Sequence, residues 1–94
     1  MHYEWYENKR VSNLEKHGID FRDAARFFDS DVICFEDNRQ NYGEKRYIAL
    51  GIIEGRLVVT ACTWRNRNVR ILSMRKANAR ERRLYEEYFK NRLG

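Results

Sequence analysis

"KRYIALGIIEGRLVVTACTWRNRNVRILSMRK", residues 45–76, decides the fold. It holds three strand-like runs, "KRYIALGII", "RLVVTACTW" and "NVRILSMR", each rich in β-branched or aromatic residues. Glu54-Gly55 separates the first two, and Arg65 to Asn68 separates the second pair. A parallel crossover needs a dozen or more residues, so connections this short join only antiparallel neighbours. The stretch predicts a meander.

Upstream, "DVICFED" (31–37) is β-rich and runs into a polar loop, "NRQNYGE" (38–44). Before it, "IDFRDAARFFDSD" offers Asp20 as an N-cap, Asp23 for the first turn, and Phe21, Ala24, Ala25 and Phe28 at helical spacing. "ENKRVSNLEKHG" carries Val11, Leu14 and His17 three apart, a stripe that stops at the capping glycine Gly18. "HYEWY" reads as a short first strand. Downstream, Asn78 with Glu81 three residues on resembles a capping box, followed by an apolar stripe of Leu84, Tyr85, Tyr88 and Phe89. The order β, α, α, four strands, α predicts an α+β fold. Its expected form is a single antiparallel sheet of about four to five strands, with two N-terminal helices and one C-terminal helix packed mainly on one face.

Length and charge narrow the function. Ninety-four residues make one domain, 1–94, with no room for a second core. The longest apolar runs are strand-sized, so no membrane partner is expected. No apolar h-region follows "MHYEWYENKR", which points to a cytoplasmic protein. Cys34 and Cys62 lie in strand-like runs without metal-ligand spacing and read as two buried, reduced thiols. Residues 1–64 carry nine Lys/Arg against eleven Asp/Glu, whereas residues 65–94 carry ten against three. That asymmetry points to a polyanionic partner for the last third, nucleic acid first and an acidic protein next. A solvated basic helix is the bland alternative.

Within "RILSMRKANARERRLYEEYF" (70–89), strict strand alternation puts Arg70, Leu72, Met74 and Lys76 on one face and Val69, Ile71, Ser73 and Arg75 on the other. Arg65 and Arg67 close the neighbouring run, and Arg46 opens the adjacent one. Convergent arginines beside a helix N-terminus would form a phosphate site, since guanidinium groups fork onto phosphate oxygens. Glu81 is either a cap and ion-pair partner of Arg75, or a carboxylate that holds a catalytic arginine or moves a proton itself. His17 is either a helix cap or a catalytic group, and Lys16 beside it is ordinarily a solvated side chain. Trp64 stacks on a base or covers the core rim; Tyr85 reads as core with a hydroxyl at the site edge. No Gly-rich phosphate loop, nucleophile elbow, HExxH or Cys/His cluster occurs, so no cofactor or metal is called for. Metal-free attack of an RNA 2′-OH on its own phosphodiester is compatible with this inventory.

The chain resembles the BrnT family of bacterial type II toxins over nearly its whole length. The resemblance rests on N-x-x-K-H-G-I-D-F at Asn13 to Phe21, on "FEDNRQNYGEKRYIALG", and on "VVTACTWRNRNVRILSMRKANARERRLYEE". Its R-I-L-S-M-R-K-A…R-E-R…Y part is the most characteristic, although the family more often shows "SARKA" where this chain has "SMRKA". The resemblance implies a RelE-like fold and a ribonuclease that halts translation and growth. It also implies a BrnA-type antitoxin whose DNA-binding half brings the pair to its own promoter, in higher-order complexes. Carried onto this chain, it makes Lys16, His17, Arg46, Arg65, Arg75, Lys76, Arg80 and Glu81 the functional candidates without dividing their roles; our own reading assigns catalysis to His17, Arg75, Lys76 and Glu81. RNA or phosphate binding would fall to Lys16, Arg46, Arg65 and Arg80. A non-catalytic module that binds nucleic acid or antitoxin and acts as co-repressor is the alternative.

Overall fold

The fold is described from a computed structural model, which describes residues 2–93. Strand β1 (His2–Glu4) leads into helix α1 (Glu7–His17). A 3-10 turn (Phe21–Asp23) then runs into the short helix α2 (Ala24–Phe28). Strands β2 (Ile33–Glu36), β3 (Tyr47–Ile53), β4 (Arg56–Arg65) and β5 (Asn68–Lys76) follow, and helix α3 (Ala79–Leu93) closes the chain. All five strands form one sheet in the order β1-β5-β4-β3-β2.

The meander forms as expected: β2–β3, β3–β4 and β4–β5 pair antiparallel. The two hairpins turn on Glu54-Gly55 and Asn66-Arg67, all four residues left-handed. Two consecutive left-handed residues make the turn whose twist matches that of the flanking strands. The sheet as a whole is mixed rather than antiparallel, because β1 pairs parallel to β5. The long excursion through α1 to β4 lets the chain return in the same direction.

Helices occupy both faces, not mainly one. Ile19, Phe21, Ala24 and Phe27 pack on one face with Ala49, Ile53, Val58, Cys62, Val69, Ile71 and Met74. Tyr85 and Phe89 of α3 pack on the other, over Ile33, Leu50, Leu57 and Val59. Gly51 marks where α2 presses closest, since an added Cβ would stand 3.0 Å from Phe27, Ser30 and Val32.

Helix α1 departs from its predicted apolar stripe. Val11 and Leu14 are exposed, and the buried residue of the helix is Asn13. Gly18 ends the helix in left-handed conformation with its N–H on Leu14 O at 2.8 Å, as predicted. Asp20 caps the next turn by accepting from Arg22 N at 2.9 Å. Cys62 is buried, its thiol pushed up to about 12 by desolvation, but Cys34 is exposed on the edge strand β2. An edge position leaves one flank uncovered, which composition does not reveal.

Candidate functional site

The site begins with one irregular residue. Ala61 pairs with Ser73 but Cys62 pairs with Ile71, so Leu72 has no partner and β5 bulges there. An extra residue shifts the alternation of everything beyond it. Val69 and Ile71 therefore share the helix-α1 face with Met74, while Ser73 and Arg75 stand on the α3 face opposite Ala61 and Val59. The straight alternation expected from sequence is overturned at this point.

On the α3 face, Ile33, Leu50, Val59 and Arg75 form one row across four strands. Phe35, Ile48, Ala61 and Ser73 form the next. Helix α3 covers the first row through Tyr85 and Phe89, but every residue of the second keeps solvent exposure. Phe35 is 44% exposed. The result is a half-open sheet face with arginines at its margins.

Arg75 is fixed there by Glu81. Its Nη1 and Nη2 donate to Oε1 and Oε2, each at 2.8 Å, the forked geometry that suits a guanidinium and a carboxylate. Glu81 Oε1 also accepts from Asn78 N at 2.9 Å, and Asn78 Oδ1 accepts from Glu81 N at 2.8 Å. This is the reciprocal capping box expected at the start of α3. The Arg75 guanidinium holds the Glu81 carboxyl below the usual carboxylate range against an opposing burial penalty. Both oxygens of Glu81 are thus engaged and the group is ionised near neutral pH.

A second buried carboxylate organises the opposite margin. Asp37 Oδ1 and Oδ2 accept from Arg39 Nε and Nη2 at 2.8 and 2.9 Å, and Tyr42 Oη donates to Oδ2 at 2.9 Å. The Tyr42 ring lies 4.2 Å from the Arg46 guanidinium. Arg46 Nε is buried with no hydrogen-bond partner among the described residues; Glu44 stands 3.8 Å away, beyond bonding range. Phe35, Asp37, Arg39, Ile48, Arg75 and Glu81 border a hollow of about 190 Å³.

The remaining candidates disperse. Lys16 and His17 line a separate hollow of about 410 Å³, with Lys9 and Ser12 of α1 and Leu72 and Ser73 of the bulge. Lys76 pairs with Val58, which places it on the opposite side of the sheet from Arg75. Arg80 is exposed in the first turn of α3. Arg65 is exposed six residues along β4 from the partner of Arg75, roughly 20 Å at the rise of a strand. The sequence reading grouped the ends of two strands, but in an antiparallel pair the end of one lies beside the beginning of the other. Trp64 is exposed at that distant end, 52% of its surface free.

Three contributors escaped the sequence reading. Asp37 closes what reads as a β-rich run, and Arg39 and Tyr42 lie in the polar loop after it; the Asp-x-Arg spacing was the available signal, since a carboxylate there can accept from the backbone two residues on. Among the described residues no group of three or more His, Cys, Asp or Glu side chains is placed to hold a metal ion. No helix among them is long and apolar enough to cross a membrane.

A mixed sheet with an open face, rimmed by guanidinium groups that carboxylates hold in place, defines a small α+β protein suited to gripping a polyanion. The family described as "Ribonuclease toxin, BrnT, of type II toxin-antitoxin system" matches residues 5–81. The chain belongs to that family, whose activity is directed at RNA and whose partner is an antitoxin. Comparison with curated proteins finds no match.

Proposed function

We propose that the chain is a metal-independent endoribonuclease whose half-open sheet face receives the scissile phosphodiester. Arg75 and Arg39 face the hollow and Arg46 stands at its margin, three guanidinium groups for the charge that grows on the phosphorus oxygens in the transition state. Cleavage runs by attack of a ribose 2′-oxygen on the adjacent phosphorus, with the 5′-oxygen of the next nucleotide leaving. A base takes the 2′ proton and an acid supplies one to the 5′-oxygen. Glu81 acts here by positioning Arg75, while His17, the proton-transfer candidate, borders the separate α1 hollow and serves a phosphodiester only where the strand passes that side. The observation that carries this reading is the forked Arg75–Glu81 pair beside a partly exposed row of the sheet.

In this reading the toxin works in the cytoplasm and arrests translation. A BrnA-type antitoxin neutralises it in a higher-order complex that represses its own promoter. Purified protein is expected to cut RNA in EDTA. Arg75→Ala should lower kcat/KM by about 10²-fold or more. An Arg75→Ala/Glu81→Ala double variant that still cleaves robustly removes this site from consideration.

One observation favours a second reading. Of the three carboxylates that border the hollow, Glu36, Asp37 and Glu81, the last two are tied to its arginines and are not free to exchange a proton there. A co-repressor that binds nucleic acid without turnover needs nothing more. Salt-dependent binding with no RNA products on a gel would select it.

A further inference from the structure

We propose that the α1 hollow is a second phosphate subsite, filled by the same single RNA strand that the Arg75 hollow holds. The inference rests on the reading of the open face as an RNA site, and adds Lys9, Ser12 and Ser73 to it. The hollow is the larger of the two, about 410 Å³. Lys9, Ser12 and Lys16 recur at helical spacing and so project from one side of α1.

Charge distinguishes these lysines from the arginines that carboxylates hold in place. Arg10, Arg22, Arg26, Arg39, Arg70 and Arg75 each pair with a carboxylate. Among the described residues, Lys9 and Lys16 have no ion-pair partner; Lys9 rests only near the Tyr6 ring, at 5.8 Å. Uncompensated cations bordering a hollow are free to meet an anion.

Position links the two hollows. Ser73 borders the first, Ile48 borders the second, and Ala61 lies between them in register. Two strand spacings amount to about 10 Å. The row between them is the partly exposed one, and Phe35 at its far end, 44% exposed, adds aromatic surface of the kind on which unstacked bases stack. Asn13 ties α1 to β5 at Met74, so the lysines keep a fixed relation to Ser73 and Arg75.

The test is fluorescence anisotropy with a 2′-O-methyl decanucleotide, which cannot be cut through its 2′-oxygen, over a range of salt. Lys9→Ala/Lys16→Ala should lower affinity about tenfold and reduce the salt slope by roughly 1.4, the value for two lost phosphate contacts on a single strand. Lys9→Arg/Lys16→Arg should retain both. The loss should be at least about threefold smaller for a 2′-O-methyl dinucleotide, whose single phosphate fills one hollow only. An unchanged slope with the decamer, or an equal loss at both lengths, overturns the proposal. Arg75→Ala is measured alongside. If it leaves decamer binding and RNA cleavage intact, the Arg75 reading and the shared strand fall, while the lysine result still decides whether the α1 hollow takes phosphate.

Discussion

Asn13 gives its amide to the backbone of another element. Its Nδ2 donates to Met74 O at 2.8 Å and to Ile19 O at 3.1 Å, while its Oδ1 accepts from Met74 N at 3.2 Å. Beyond β1, which pairs only with the first three residues of β5, the amide supplies the hydrogen bonds a further strand would have made. The substitution Asn13→Ala leaves three buried backbone groups unpaired and should cost about 2 kcal/mol or more. For a chain of this size that is a fall in Tm on the order of 10 °C. An unchanged melting curve would show that the amide is dispensable. Glu81 shows a comparable economy, since one carboxylate caps α3 and orients Arg75. The cap and the ion pair with Arg75, read from sequence as the structural role of Glu81, both occur.

At the scale of elements, the sharpest constraint is the contact between α2 and β3. Gly51 lies under Phe27, Ser30 and Val32, and Ser30 Oγ accepts from Ile52 N at 2.9 Å. A methyl group there fits only if the side chains of Phe27, Ser30 and Val32 give way by a few tenths of an ångström. Gly51→Ala should therefore destabilise by about 1–3 kcal/mol, read as a lower urea midpoint with unchanged m. A midpoint equal to that of the parent would mean that α2 is held less tightly than its packing indicates. The helices and strands were legible because each is coded by neighbours within a few residues: Gly18 after a helix, Asp20 before one, Glu54-Gly55 between strands. The exposed side of α1 was not legible, since Val11 and Leu14 mimic an apolar stripe while the helix is fastened by Asn13.

At the scale of the molecule, several carboxylates bind protons less readily in the folded state than in the unfolded chain. Asp20 is lowered from 3.8 to about 2, chiefly by the hydrogen bond from Arg22, with Arg10 also contributing. Asp37 is lowered further, first by Arg39, and Glu81 by Arg75. Below about pH 4 the unfolded chain takes up protons that the folded one resists, so stability falls as pH drops. For Asp20 the contribution is full above its ordinary range and disappears as pH falls through about 2. Urea midpoints measured at about pH 5 and about pH 3 should differ, and by less in Asp20→Asn. A difference of the same size in both proteins would assign the acid sensitivity to other groups.

By itself the sequence determined the α+β class, the antiparallel meander, the capping box at Asn78 and Glu81, the Arg75–Glu81 partnership and the family likeness. All of these depend on short spacings or on motifs read in order. Only the tertiary structure decided which basic residues share a surface. The unpaired Leu72 resets the faces of β5, antiparallel pairing sends Arg65 to the far end, and a buried Asp37 draws Arg39 to the hollow and Tyr42 against Asp37 itself. Each of these depends on pairing between distant segments, where a shift of one residue reverses the direction of every side chain that follows.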